Sequence, residues 1–455
     1  MPVLTEVELS LMMKKSIALR WFVSLILVAT WAIWAATGHL PFLRLAYAVL
    51  FLLLVSGLWS LVLGRGIEVR REARLLRASV GDVFEERFEV SVTTWPGCPW
   101  VEVLNQSSLP GAAGSRLLTR IGRGEKRFYI ARTLLTRRGA YPLGPTVVST
   151  GDPFGLFPVE KRFPPAETLV VLPMTFPIAE FPPPAGLVPG GRAVHVRTTD
   201  VTPHATGIRE YIPGDPMKRI HWPATARRGR FMVKEFEQDP QADIWLFVDA
   251  RREVHVAGKD VAIAGAGNEM FFWHRPKVAL ACDTFEYALS AAASLAQHFL
   301  RDRRSVGLAC STARFTVLPA ERGDRQLGKV METLAFLEPD GVMSLLGLVA
   351  MQAKFLPPGT GVVLITPSTD PELLLVVEDL LRRYLRPVAV LLDAASFGAP
   401  AQDLSAIVDA LASRSVPVCT LAYGDSLSTH LSLAAVYFQR SYGSMSYKLT
   451  LRRFE

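Results

Sequence analysis

The window from Gly207 to Asp239, GIREYIPGDPMKRIHWPATARRGRFMVKEFEQD, concentrates the side chains best suited to polar chemistry. Arg209, Arg219, Arg227 and Arg228 stand among Glu210, Asp215 and Glu235, with Tyr211, His221 and Trp222 interleaved. A guanidinium presents a planar fork of donors, so arginines at this density either bridge carboxylates inside the protein or offer a patch to an acidic partner. Tyr211 and Trp222 are expected to stack on guanidinium planes in either case. The favoured reading is a latch of ion pairs and rings that holds the preceding region to the following domain, with Arg219 and Arg227 paired to carboxylates such as Asp215. Catalysis by His221 would need a nucleophile and a group to orient the ring, and a lone histidine reads better as a hydrogen-bonded structural residue.

Elsewhere the chain carries no P-loop, no G-x-G-x-x-G after a strand, no G-x-S-x-G and no H-E-x-x-H. Gly265-Ala266-Gly267-Asn268 lacks the strand-to-helix setting that phosphate binding requires and is read as a loop. Cys98, Cys282, Cys310 and Cys419 form no C-x-x-C pair and have no histidines at metal spacing, so they read as buried thiols in a reducing compartment. No catalytic residue, metal or cofactor is assigned. The 50 basic and 42 acidic residues leave a net charge of +8, modest for 455 residues, and nucleic acid is not implied.

These groups must be held by elements whose boundaries the pattern suggests. Ile17 to Thr37 contains one charge, Arg20, and Leu45 to Leu63 contains none. The second run reaches about 28 Å as a helix, close to the hydrocarbon thickness of a bilayer. Residues 1–65 are therefore predicted to form a transmembrane hairpin, joined tightly through Gly38-His39-Leu40-Pro41, with spans near 17–37 and 45–63. Lys14, Lys15 and Arg20 precede the first span and Arg65, Arg70, Arg71, Arg74 and Arg77 follow the second. The positive-inside rule then places the soluble domains in the cytoplasm and the chain in the inner or plasma membrane.

Residues 66–185 read as a β-sandwich of immunoglobulin-like size, with short strands at Phe88–Thr93, Arg127–Ala131 and Thr168–Leu172 between Gly and Pro turns. In the strings RRGAYPLGP and GDPFGLF, Gly139, Gly144, Gly151 and Gly155 serve turns while Phe154 and Phe157 cap the core. Residues 186–239 hold a linker, clearest at Phe181 to Gly191, and the arginine-rich segment. Residues 240–455 alternate strands with helices, opening on the continuously apolar run Ile244–Val248, and predict a doubly wound α/β sheet; Gly265 to Arg275 is a surface excursion in its first crossover.

The pattern R-x-Y-x-P-G-D followed by R-x-I-x-W and A-R, carried by Arg209, Tyr211, Pro213, Gly214, Asp215, Arg219, Ile220, Trp222, Ala226 and Arg227, resembles the signature of the bacterial domain-of-unknown-function 58 family. The strings RRGAYPLGP and GDPFGLF and the two-span anchor resemble it as well. The resemblance implies a membrane-anchored protein ending in a von Willebrand factor A-like domain, with a MoxR-type AAA+ ATPase and a transglutaminase-like membrane protein as possible partners. In that fold the sheet rim usually holds a divalent cation through D-x-S-x-S plus a Thr and an Asp from later loops. Here Asp249 remains, Arg251 and Glu253 take the two serine positions, and Pro367 follows Thr366 where an acid is usual. A guanidinium beside Asp249 competes with a cation, so an internal Asp-to-Arg arrangement is expected in its place. The chain is thus read as a non-enzymatic interaction or scaffold protein; the alternatives are an enzyme or assembly factor of cell-envelope metabolism and a binder of anionic lipid through the arginines after the second span.

Overall fold

The structure is a computed structural model and describes residues 6–95, 97–181, 205–212, 217, 220–236, 243–258, 279–400 and 403–432. All of the linker string beyond Phe181, and the excursion Gly265 to Arg275, lie outside the described residues. Two compact units are present, the first built chiefly from Met1–Thr175 and the second chiefly from Phe176–Gly258, Asp283–Val330 and Glu338–Glu455.

The first unit begins with two helices, α1 (Glu6–Thr37) and α2 (Leu40–Gly66). Gly38 adopts a left-handed φ of 70° and its N–H caps the Trp34 carbonyl at 2.7 Å, which ends α1. Pro41 then sits in the first turn of α2, where its missing N–H costs nothing. The link is therefore shorter than the four residues expected, only Gly38 and His39. Ser16–Thr37 and Leu40–Gly66 have mean hydropathies of 1.8 and 2.3 and are long and apolar enough to cross a membrane.

Ten strands follow: β1 (Ile67–Ala73), β2 (Arg77–Ser79), β3 (Val83–Val92), β4 (Cys98–Asn105), β5 (Arg116–Ile121), β6 (Lys126–Leu134), β7 (Gly139–Pro142), β8 (Thr146–Gly151), β9 (Pro158–Phe163) and β10 (Thr168–Leu172). They form sheets in the orders β1-β3-β6, β2-β10-β7 and β5-β4-β8-β9. Period-two burial along β3 turns Phe84, Phe88, Val90 and Val92 inward, where the last three meet Val101, Val103, Tyr129 and Val148. Leu63 and Ile67 join the same core, so the last turn of α2 is packed into the β-rich region. One inward position of β3 is charged: Glu86 is buried and held by Arg71.

Phe154 and Phe157 do not cap this core. The buried Asp152 carboxylate accepts the N–H groups of Phe154 (3.0 Å) and Phe157 (2.7 Å). That turns Leu156 inward, leaves Phe154 exposed and sets the Phe157 ring against Gly57 of α2.

The second unit contains β11 (Ala205–Glu210), α3 (Trp222–Arg228), β12 (Met232–Phe236), β13 (Ile244–Val248), α4 (Thr284–Arg301), β14 (Val306–Ser311) and β15 (Phe315–Glu321). After these come α5 (Asp324–Phe336, in this unit as far as Val330), α6 (Leu345–Gln352), β16 (Gly361–Thr366), α7 (Glu372–Arg382), β17 (Arg386–Leu392), α8 (Leu404–Ser413) and β18 (Val418–Leu421). Six strands make a mixed sheet in the order β15-β14-β13-β16-β17-β18, parallel except for the β14–β15 pair. β13, β14 and β16 are buried at every residue, as a central strand covered on both faces requires. Gly307 of β14 makes room for the Trp245 ring, whose carbons stand 2.7 Å from where a Cβ would lie.

Candidate functional site

β14 leaves β13 on one side and β16 lies on the other, so the chain reverses its course across the sheet at β13. Open α/β sheets take ligands in the crevice beyond the carboxyl ends at such a point. Here that crevice is closed by side chains. Asp249 follows β13 directly and Thr366 is the last residue of β16; the Asp249 N–H donates to Ile365 O at 3.0 Å, which fixes the two side by side. The Thr366 hydroxyl donates to Asp249 Oδ2 at 2.9 Å. Arg251 supplies the rest: its backbone N–H reaches Oδ1 at 3.1 Å, Nε reaches Oδ1 at 3.4 Å and Nη2 reaches Oδ2 at 3.3 Å. Nη2 also lies 3.5 Å from Asp370 Oδ2.

Asp249 is only 1% exposed, so its charge depends on these partners. Burial works against the Arg251 charge, yet Asp249 and Asp370 more than offset it and hold the Arg251 pKa above its ordinary value. Glu253 is exposed and makes no part of the arrangement around Asp249. A hard cation would need several oxygen ligands, whereas the Asp249 oxygens already accept from one hydroxyl, one amide and one guanidinium. The donor set does not fit a metal ion. Among the described residues no group of three or more His, Cys, Asp and Glu could hold one.

His255 locks the rim from below. Its Nε2 lies 2.8 Å from the Asp249 carbonyl and its Nδ1 lies 3.0 Å from the Thr284 hydroxyl. A carbonyl only accepts, so the proton sits on Nε2 and Nδ1 accepts from Thr284. Burial lowers the His255 pKa and keeps the ring neutral, against the opposing pull of Asp249. A single histidine six residues after an aspartate carries no sequence signal of this role. Gly341 completes the rim by donating to the Ala250 carbonyl at 2.9 Å and accepting from the Arg252 N–H at 3.1 Å. A Cβ there would meet the Ala250 oxygen at 2.8 Å and the Ser311 carbonyl oxygen more closely still. Gly341→Ala is therefore expected to lower the melting temperature by several degrees, since neither obstacle is a movable side chain end; circular dichroism on heating checks this. The nearby Cys310 is buried, and burial pushes its thiol up to about 12, so it is no nucleophile.

The described part of the arginine-rich segment is a short helix carried on a ribbon. β11 and β12 pair as an antiparallel ribbon, and α3 lies in the connection between them. His221 caps α3, its Nδ1 accepting the Ala224 N–H at 3.1 Å, and Gly229 ends the helix in the left-handed region with its N–H on Thr225 O at 2.9 Å. The Thr225 hydroxyl in turn accepts from Met232 N–H at 3.0 Å. Tyr211 meets Phe231 edge-on at 6.1 Å and Ile220 is buried.

No residue of α3 is buried. Arg227 and Ala226 are exposed and Trp222 is 63% exposed; Asp215, the carboxylate expected to pair with Arg227, lies outside the described residues. Ile212, Met217 and Phe231 are also exposed, as are Arg228 and Arg230, the latter 3.3 Å from the Glu210 carboxylate. The reason is the length of α3: seven residues held by caps and by the ribbon need no buried face to stay helical. Arg209 lies in β11 opposite Val233. Pro213, Gly214, Asp215 and Arg219 lie outside the described residues.

Comparison with known proteins returns the same segment. A family described as protein of unknown function DUF58 matches residues 207–259. The uncharacterized protein YeaD of Bacillus subtilis (strain 168) is 25% identical over 328 residues, covering 65% of this chain and 69% of that protein. Among solved structures, the CARDB domain of the PF1109 protein from Pyrococcus furiosus is 13% identical, covering 23% of this chain and 91% of that chain, with a TM-score of 0.18. The stretch that builds α3, β12 and the Asp249–Arg251 rim is thus the stretch that matches DUF58, a family of unknown function.

Proposed function

We propose that this chain is a membrane-anchored, non-enzymatic interaction protein whose second unit, a degenerate von Willebrand A-like domain, docks a partner through the face of α3 and its ribbon. The observation that carries the reading is the exposure of Trp222, Met217, Phe231 and Ile212 in the same short segment as the exposed Arg227, Arg228 and Arg230. Tryptophan and arginine are among the residues that most often dominate binding energy, and large apolar side chains exposed in one segment suit an interaction site. A carboxylate-rich partner suits the arginines. A MoxR-type AAA+ ATPase is the leading candidate, on the strength of the family resemblance, with a transglutaminase-like membrane protein second. The closed rim supports a role without catalysis, because its polar groups are spent on one another.

The test is a pull-down of the full-length detergent-solubilised chain with the MoxR-type ATPase of the same cell. Trp222→Ala combined with Arg227→Glu is expected to weaken binding about tenfold or more while leaving the melting temperature unchanged, since both side chains are exposed. Binding should also fall with added salt, because exposed charges are screened over roughly 10 Å. Undiminished capture by the double variant would refute the α3 face.

Two bare apolar helices support the anchoring, since only 11% and 17% of their most apolar windows are covered by protein. The first unit is then an immunoglobulin-like spacer on the cytoplasmic side. A reporter joined after Glu455 is expected to report the cytoplasm, and periplasmic or extracellular signal from the full-length fusion would reverse the topology.

A further inference from the structure

We infer that the β-rich unit is itself a bilayer contact, with Phe154 and Trp95 seated among the lipid headgroups; this rests on the reading of α1 and α2 as membrane spans. Two loops distant in sequence converge on the end of α2. In the loop between β8 and β9, the Ser60 hydroxyl donates to Phe157 O at 2.5 Å, the Phe157 ring packs on Gly57, and the Arg20 guanidinium lies 5.7 Å from that ring's centroid. In the loop after β3, the Thr93 N–H donates to Gly66 O at 2.9 Å and the Thr94 side chain lies against Gly66. Both loops are therefore fixed to the helices and cannot swing away from the level at which α2 ends.

That level is the polar boundary of the bilayer. Ser60 lies roughly 9 Å along the helix axis from Gly66, and the headgroup layer outside the hydrocarbon is about 5–8 Å deep on each side. Arg20 is the last charge before the apolar run of α1 and marks the same depth. At this height Phe154 is 58% and Trp95 73% exposed, although Leu156 and Cys98 beside them are buried. Aromatic rings with one apolar and one wet side favour this layer. The Asp152 carboxylate that fixes the loop of Phe154 holds the ring outward, so its exposure is built in.

The experiment uses the full chain in nanodiscs of phosphatidylethanolamine and phosphatidylglycerol. Nitroxide labels are placed one at a time through Trp95→Cys, Phe154→Cys, Leu54→Cys and Leu75→Cys in a Cys282→Ser background, the other cysteines being buried. Leu54 is an exposed residue within α2, and Leu75 is exposed beyond β1, a strand that carries the chain about 20 Å from the helix end. Collision with dioxygen, which concentrates in lipid, is compared with collision with a water-soluble nickel chelate. The ratio at 95 and 154 should exceed that at 75 several-fold and approach that at 54. Aqueous values at 95 and 154 with a lipid value at 54 would overturn the contact while leaving the spans intact. Shielding from both reagents at 95 and 154 would also overturn it, by showing protein there instead of lipid, and an aqueous value at 54 would remove the spans and the contact together.

Discussion

Arg71→Ala is expected to destabilise the β-rich unit by about 3–5 kcal/mol, the cost of leaving a buried charge without its partner. Glu86 is 1% exposed at an inward position of β3, and Arg71 grips it with Nε on Oε1 at 2.8 Å and Nη2 on Oε2 at 2.9 Å. Nη1 donates to Asn105 Oδ1 at 3.0 Å, and the guanidinium lies 5.1 Å from the Phe88 ring centroid. Burial pushes the Glu86 pKa above its ordinary value, and the charge and hydrogen bonds of Arg71 reverse only part of that rise. A carboxyl raised in the folded state contributes stability that is complete below its unfolded pKa and is lost as pH rises through the folded value. The loss in Arg71→Ala should therefore be larger near about pH 7 than near about pH 4, where Glu86 takes up a proton. Thermal melts of detergent-solubilised protein at the two pH values measure this. A double change, Arg71→Met with Glu86→Leu, should recover most of the loss, because an apolar pair of similar size leaves nothing unpaired.

Arg251→Ser is expected to have the second largest effect, a loss of about 3 kcal/mol, at the lower end of the range for broken buried pairs because Asp249 keeps the Thr366 hydroxyl and a backbone N–H. The same change removes the guanidinium that competes with a cation and places a hydroxyl at the first serine position of the D-x-S-x-S pattern. Millimolar magnesium should then raise the melting temperature of Arg251→Ser, since a ligand that binds only the folded state stabilises it by mass action. The unchanged chain should show no such response.

The contrast between these two arginines shows how far sequence reading reaches. Arg71 reads as one of several membrane-flanking charges after the second span, and nothing local separates it from Arg70 or Arg74. Its partner becomes visible only through the register that sets β1 against β3, a long-range property. Arg251 is legible because a strand, an Asp and two displaced serines fix where it must lie, and Asp249 follows β13 as the pattern requires.

The buried parallel strands were legible for a similar reason. Ile244–Val248 is a continuous apolar run between polar stretches, and β13 has those bounds. β15 was not foreseen, because Pro319 stands inside a half-exposed run; the strand survives as an antiparallel edge, where a missing N–H can face outward. The orientation of the arginine-rich segment is not legible in its composition. Interleaved rings and guanidinium groups have one composition whether they face inward or outward, and only the short capped α3 decides that Trp222 and Arg227 face outward.

The most direct test of the closed rim is titration of magnesium into the full-length, EDTA-stripped chain, followed by calorimetry and by melting temperature. If Arg251 fills the place beside Asp249, no saturable heat and no shift in melting temperature will be seen, and Asp249→Asn will behave the same way toward the metal. Saturable magnesium binding that Asp249→Asn abolishes would show that a cation holds the rim, and would contradict it.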